Sequence, residues 1–232
     1  MSTYQYNGNV WPLPQTGQMW LEDVLLKNPT IPGAFCVSTS YRNEQTPVPG
    51  RHDLIFPMFE FESRGNIDDL HKLESDLLEH IGFEKPEGEY PSGDYEEVAK
   101  KYNTKEIEHE HEAKLADDHG EVFFLKNFPF HTSPFWNMKA DFTTKKSNKI
   151  DVILHGVETI GSAERSTDKD EMREMFYTIS DGQYKDILYS QFSKERVDKE
   201  LDEFLDFDFF ERYGGGIGVT RMITAMEKSN LL

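Results

Sequence analysis

Three short stretches hold the side chains best suited to chemistry on a charged ligand. The first runs Tyr41–Arg42–Asn43–Glu44, then Arg51–His52, then Phe56. Two guanidinium groups and an imidazole so spaced can surround a polyphosphate, because planar forks of N–H donors match phosphate oxygens. Phe56 adds a flat face on which a base can stack. Arginine beside glutamate is equally the pattern of a surface ion pair. The second stretch holds Asp151 and Glu158 on either side of Gly156. A turn between them can aim two carboxylates into one cleft, and magnesium takes a few hard oxygens together with ligand phosphates. Two exposed acids at strand ends give the same spacing. Arg165, beyond Gly161, is either an anion clamp or half of an ordinary ion pair. The third stretch is Gly214–Gly215–Gly216–Ile217–Gly218–Val219–Thr220–Arg221. It lacks the Lys-Ser/Thr of a phosphate-binding P-loop and the βαβ surroundings of a dinucleotide fingerprint. Glycine in a strand lets a ligand approach backbone closely, and Arg221 follows where a helix begins. The alternative is a glycine-rich turn with a solvated arginine.

A fourth stretch, Glu106, Glu108, His109, Glu110, His111 and Glu112, invites a zinc reading. Its histidines are two apart and face different sides of a helix, and no cysteine assists. A metal site is therefore not expected there, although one of these acids can still touch a substrate amine. Asp202, Glu203, Asp206 and Asp208 read as a solvated helix face.

The elements that must position these groups alternate irregularly. Residues 1–17 show no period and read as an irregular lead-in. Met19–Leu26 has one apolar helical face. Ala34–Tyr41 and Leu54–Glu62 read as a hairpin of strands, with Phe59 and Phe61 on one face and Glu60 and Glu62 on the other. Ile67–Ile81 is an amphipathic helix, and 84–94 is a loop. Helical patterns follow at Tyr95–Tyr102 and Thr104–Asp117. Strands are expected at Val122–Leu125, Ile150–His155 and Thr159–Ala163, and helices at Asp168–Ser180, Glu200–Arg212 and Ile217–Met226. Hairpins outnumber βαβ units, which predicts an α+β fold on an antiparallel sheet flanked by helices, in a single domain over 1–232.

Bulk properties narrow the function. The chain has 25 basic and 43 acidic side chains, for a net charge of −18. Such a surface repels a nucleic-acid backbone on average, so a tRNA partner is disfavoured, though not excluded, because net charge does not locate charges. Lys145, Lys146 and Lys149 read as a solvated loop. The single cysteine, Cys36, forms no intrachain disulfide and reads as a buried strand residue. The opening residues lack a signal-peptide pattern, and no window reaches a membrane span. A cytoplasmic protein without membrane contact is expected.

Taken in order, these pieces resemble the catalytic core of class II aminoacyl-tRNA synthetases of the aspartyl/asparaginyl branch, and are similar to the archaeal-type asparagine synthetase derived from it. TSYRNE…PGRHDLIFPMFEFE (39–62) is like the second motif of that class, DVILHGVETIGSAERSTD (151–168) like its metal-acid segment, and GGGIGVTRM (214–222) like its third motif. QTGQMWLEDVL (15–25) looks like a shifted form of its substrate segment. The resemblance implies ATP and magnesium. By it, Arg42 holds the α-phosphate and the attacking carboxylate, and Glu44 approaches the adenine amino group or the substrate. Arg51 and His52 meet the outer phosphates, and Phe56 stacks on adenine. Asp151 and Glu158 bind magnesium. Gly218 belongs to the nucleotide-binding third motif, and Arg221 lies against the ring's other face and the γ-phosphate. Gln18 contacts the substrate amino acid, and Arg165 grips an acidic side chain.

The sequence also departs from that pattern. The lysine that relatives use on aspartate falls at Leu21, the arginine before their PF loop falls at Ser133, and the acid preceding the stacking aromatic becomes Ile55. His131, Ser133 and Trp136 are expected to line the altered pocket. The anticodon domain has no counterpart here, and the first, dimer-building motif is not visible beyond Trp11–Pro12–Leu13–Pro14. The implied activity is ATP-dependent activation of an amino acid, aspartate by best match, with transfer to a small nucleophile such as ammonia. A homodimer is the implied assembly. Loading of a tRNA-like or carrier acceptor, and a non-catalytic nucleotide-binding paralogue, are the alternatives.

Overall fold

An Asn-Gly pair between short polar strands is a hairpin signal, and it overrides the irregular lead-in expected for the N-terminus. The computed structural model describes residues 3–43 and 53–232. Its first elements are β1 (Thr3–Tyr6) and β2 (Asn9–Pro12), paired antiparallel. Asn7 and Gly8 between them both have positive φ, 49° and 74°. Helix α1 (Gln18–Lys27) follows.

Seven of the remaining strands lie in chain order as β3 (Gly33–Tyr41), β4 (Ile55–Arg64), β5 (Ser92–Asp94), β6 (Val122–Pro129), β7 (Ala140–Asp141), β8 (Lys146–Leu154) and β9 (Val157–Glu164). Strand β10 (Arg212–Gly218) completes the main sheet, whose order is β3-β4-β10-β9-β8-β6-β5, with β7 beside β8. Every pairing is antiparallel except β5 with β6. The expected α+β class with an antiparallel sheet is therefore observed.

The other helices are α2 (Ile67–Ile81), α3 (Tyr95–Lys101), α4 (His109–His119), α5 (Lys169–Thr178), α6 (Gln183–Phe192), α7 (Lys194–Leu205) and α8 (Val219–Lys228). Helix α2 keeps its predicted bounds because both ends are signalled. Asn66 accepts from the Asp68 and Asp69 N–H groups, the Asp69 side chain answers to Asn66, and Gly82 at φ 116° stops the helix. A cap of this kind contributes about 1 kcal/mol. Helices α2 and α8 bury one sheet face through Leu70, Leu78 and Met222 against Phe124, Val152 and Ile160. Helices α3 and α4 cover part of the other face, where Val98 and Leu115 meet Phe123, Leu125 and Ile153. Helices α5 to α7 enclose Trp136, Met172, Phe176 and Leu201. Strands β4, β10 and β9 keep an open stretch on that second face, and the cleft lies there.

Several boundaries move. Helix α4 starts five residues later than the periodicity predicts, and α6 occupies a segment with no predicted element. The acidic helix ends at Leu205 rather than Arg212. The glycine run is a strand, not a turn. Two of the three lysines expected on a solvated loop lie on β8 and are paired: Lys146 contacts Asp94 and Glu96, and Lys149 contacts Asp151, while Lys145 is exposed as expected. Cys36 is half-buried rather than buried. No helix among the described residues is long and apolar enough to cross a membrane.

Candidate active site

Alternation along β10 puts Gly214, Gly216 and Gly218 on one face. Gly216 lies between Glu60 of β4 and Gly161 of β9, and Gly161 pairs with Asp151 of β8. The next row with the same orientation is Glu62, Gly214, Ala163 and Lys149. The sheet thus has a floor almost bare of side chains, with acids at its margins. The bareness is required, since a Cβ on Gly216 would lie 2.5 Å from Met58 Cε and one on Gly214 would occupy the place of the Glu62 carboxylate.

Above this floor is a cavity of about 610 Å³ whose walls include Arg42, Phe56, Glu158, Gly218 and Arg221. The guanidinium of Arg42 stands 4.9 Å from the Phe56 ring centre. Its backbone N–H donates to Leu54 O at 2.8 Å, closing the ends of β3 and β4 together. Arg221 Nη1 donates to Glu158 O at 2.5 Å, which ties the first turn of α8 to β9. Groups from β4, β9, β10, α8 and the end of β3 therefore meet, as the sequence reading expects. Glu44, Arg51 and His52 lie outside the described residues.

Asp151 and Glu158 converge over Gly161. A Cβ placed there would be 3.1 Å from Glu158 Oε1 and 3.5 Å from Asp151 Oδ1. Asp151 Oδ1 is buried without a partner, whereas Oδ2 is bonded to Lys149 Nζ. Burial pushes the Asp151 carboxyl up to about 7; Lys149 opposes this, and Glu158 and then Glu112 add to it. The orphaned oxygen facing a second acid fits a divalent cation. Among the described residues no group of three or more His, Cys, Asp or Glu side chains is arranged to hold a metal, so such a cation needs oxygens from a ligand as well. In the histidine-rich stretch, His111 Nδ1 instead accepts from Glu108 N–H at 3.0 Å as part of a helix cap. Glu112 reaches the cleft by accepting from Glu158 N–H at 3.1 Å.

The deep end of the floor is closed by a buried charge network. Arg165 Nε donates to Glu62 Oε1 at 3.0 Å, and its Nη2 donates to Gln18 Oε1 at 2.7 Å. Gln18 Nε2 in turn donates to Gly215 O at 2.6 Å. Arg212 donates to Glu22 through Nε and Nη2 at 3.1 and 2.8 Å, and Asn137 donates to the same carboxylate at 2.6 Å. Burial, partly offset by Arg165, pushes Glu62 up to about 7, and its Oε2 has no partner. The expected clamp Arg165 is thus already matched inside the chain. Glu60, also fully buried, accepts from Gly17 N–H at 2.9 Å and from Ser38 Oγ at 2.6 Å, fastening the start of α1 to the floor.

Three expected pocket residues stand elsewhere. His131 and Ser133 are exposed on the turn after β6, where His131 Nε2 meets Lys105 O at 3.2 Å and Ser133 has φ 55°. Trp136 is core, packed edge-to-face on Phe176 and Phe204. Sequence reasoning missed the roles of Glu22, Glu60, Glu62 and Arg212. The available signal was two acids alternating with Phe59 and Phe61 on a strand, opposite a glycine run that leaves them room.

The fold is that of the class II synthetase catalytic cores. The family model of the tRNA synthetases class II (D, K and N) matches residues 2–231, and the chain belongs to that family. Over 112 residues it is 28% identical to the aspartate–tRNA(Asp) ligase of Pyrobaculum aerophilum, an alignment covering 47% of this chain and 22% of the ligase. Asparaginyl-tRNA synthetase from Pyrococcus horikoshii, solved with asparaginyl-adenylate, superposes with a TM-score of 0.77 at 20% identity, covering 98% of this chain and 56% of that one. The Entamoeba histolytica asparaginyl enzyme, also with asparaginyl-adenylate, gives 0.78 at 19%, covering 97% and 55%. The chain therefore spans little more than half the length of these solved relatives.

Proposed function

We propose that this chain uses ATP to activate an amino-acid carboxylate as an acyl-adenylate. The observation that carries the reading is the single cavity in which Arg42, Phe56, Glu158, Gly218 and Arg221 meet above a glycine floor. In the proposed step, a substrate carboxylate oxygen bonds to the α-phosphorus in line with the bond that breaks to pyrophosphate. Arg42 and Arg221 neutralise the charge that develops on the phosphoryl oxygens. The attacking carboxylate is already ionised, so no general base is needed, and positioning supplies much of the rate. Asp151 and Glu158 would hold magnesium, which when bound supplies further charge neutralisation on the phosphates. Phe56 gives the adenine a stacking face, and Gln18 orients the amino acid.

Aspartate is the substrate that the sequence pattern favours. One observation favours a second reading, an amide side chain such as that of asparagine. Arg165 is engaged by Glu62, so the deep end offers both a donor and an acceptor rather than net positive charge. The solved relatives named above hold asparaginyl-adenylate. For the acceptor we favour a small nucleophile such as ammonia, which yields an amide, because a net charge of −18 opposes a large RNA. ATP–pyrophosphate exchange measured across the amino acids tests the activation step. A screen of ammonia, amines and total tRNA then tests the acceptor. Exchange with none of the amino acids, alongside measurable ATP binding, would leave a nucleotide-binding paralogue without catalysis.

A further inference from the structure

We infer that Lys149 is a resident counter-cation of the carboxylate pair, and that a divalent cation binds at Asp151 and Glu158 in competition with its ammonium group. This rests on the proposed assignment of those two acids to the cation. Lys149 precedes Asp151 by two positions on β8, so both side chains leave the same face of the sheet. Its Nζ lies 2.5 Å from Asp151 Oδ2, and the lysine and aspartate side chains are only 20% and 8% exposed. The ammonium is also held 3.7 Å from the centre of the Phe128 ring, an attraction that strengthens when water is excluded. One side of the Asp151 carboxylate is therefore neutralised by the chain itself.

The other side is not. Asp151 Oδ1 is buried without a partner and points over Gly161 toward Glu158 Oε1, with Glu112 behind them on α4. A cation seated between these oxygens sits close to the lysine ammonium, and like charges at that range in a half-dry site repel strongly. The divalent ion must either displace Lys149 from Asp151 or bring enough phosphate charge with it to outweigh the repulsion. The consequence is a site that holds divalent ions weakly on its own and fills when nucleotide delivers the ion.

Manganese binding followed by electron paramagnetic resonance, without nucleotide, tests this. K149Q should bind Mn²⁺ at least roughly tenfold more tightly than the unaltered chain, as expected for removing a competing charge at short range. K149R should stay within about twofold of the unaltered chain, since the charge is retained. An unchanged K149Q affinity, or a K149R affinity that rises with it, overturns the inference. In the unaltered protein, Mn²⁺ should increase modification of Lys149 by an amine-reactive ester, read by mass spectrometry; no increase overturns the inference even where K149Q does not fold. E158Q separates the two layers of the argument. If Mn²⁺ binding survives E158Q undiminished, the assignment of the acid pair to the cation fails, whatever Lys149 does.

Discussion

The two ends of the cleft are built on opposite principles. At the Arg42–Arg221 end, groups from distant segments stand on the wall of an open cavity, with the Arg42 backbone tied to Leu54 and the Arg221 side chain to the Glu158 carbonyl. At the Arg165–Arg212 end, two arginines and two glutamates are each at most 5% exposed and bonded to one another. Charges of the first kind cost little stability and are suited to meeting a ligand. Those of the second kind are tolerated only because each matches another, and removing one strands its partner without water. On the proposed function, the open end would take the nucleotide, and the closed end would read the substrate side chain with groups whose geometry is already fixed.

The largest effect should come at the open end. R42A and R221A should each lower ATP–pyrophosphate exchange by roughly 10³-fold or more, the scale for losing a group aimed at developing charge. Their melting temperatures should stay within about 2 °C of the parent, in line with substitutions outside the core. Unchanged exchange in either variant removes that arginine from the site. At the closed end, R165A and R212A should destabilise the fold by about 3–5 kcal/mol. Chemical denaturation would show this as an earlier midpoint, with a fall in Tm on the order of 10 °C for a chain of this size. If R165A melts like the parent, the two ends do not differ as described.

A subtler change sharpens the same contrast. E62Q keeps shape but leaves Arg165 less neutralised, so the ratio of asparagine to aspartate exchange should fall by about tenfold. An equal loss on both substrates would mean that Glu62 only holds Arg165 in place. Beneath the floor, Glu74 of α2 is buried, and burial, with Asp151 adding, pushes its carboxyl up to about 8 from 4.5. A carboxyl whose folded pKa is raised binds more protons in the native state than in the unfolded chain. Stability is therefore lost as pH rises from about 4.5 toward 8, by at most ~1.4 kcal/mol per pH unit. The stability–pH profile of E74Q should be flatter than the parent's over that window, and parallel profiles would show that Glu74 is ionised throughout. The smallest effect is expected at His131 and Ser133. Alanine at either should leave exchange within about twofold, as for surface positions, and a large loss would return that turn to the pocket.

Much of the Arg42–Arg221 end was legible from residue types in order. Arg42, Phe56, Glu158, Gly218 and Arg221 were all named from their motifs, and the structure brings them to one cavity. Helix α2 was legible to the residue, because its cap, its period and its terminal glycine agree. The lead-in hairpin is signalled only by Asn7–Gly8, because strands this short carry little hydrophobic pattern. The buried network was harder to see. Glu22 and Arg212 are 190 positions apart, and no local pattern distinguishes a matched buried acid from one facing water.

By itself, then, the sequence determined the alternation that makes the strands and the glycines that clear the floor. It also determined the family, because these depend on residue type and short-range spacing. Which charges face a ligand and which face each other was decided only by tertiary structure. Burial and pairing between β4, β8, β9, β10 and α1 set that choice, and both arise only when the strands lie side by side.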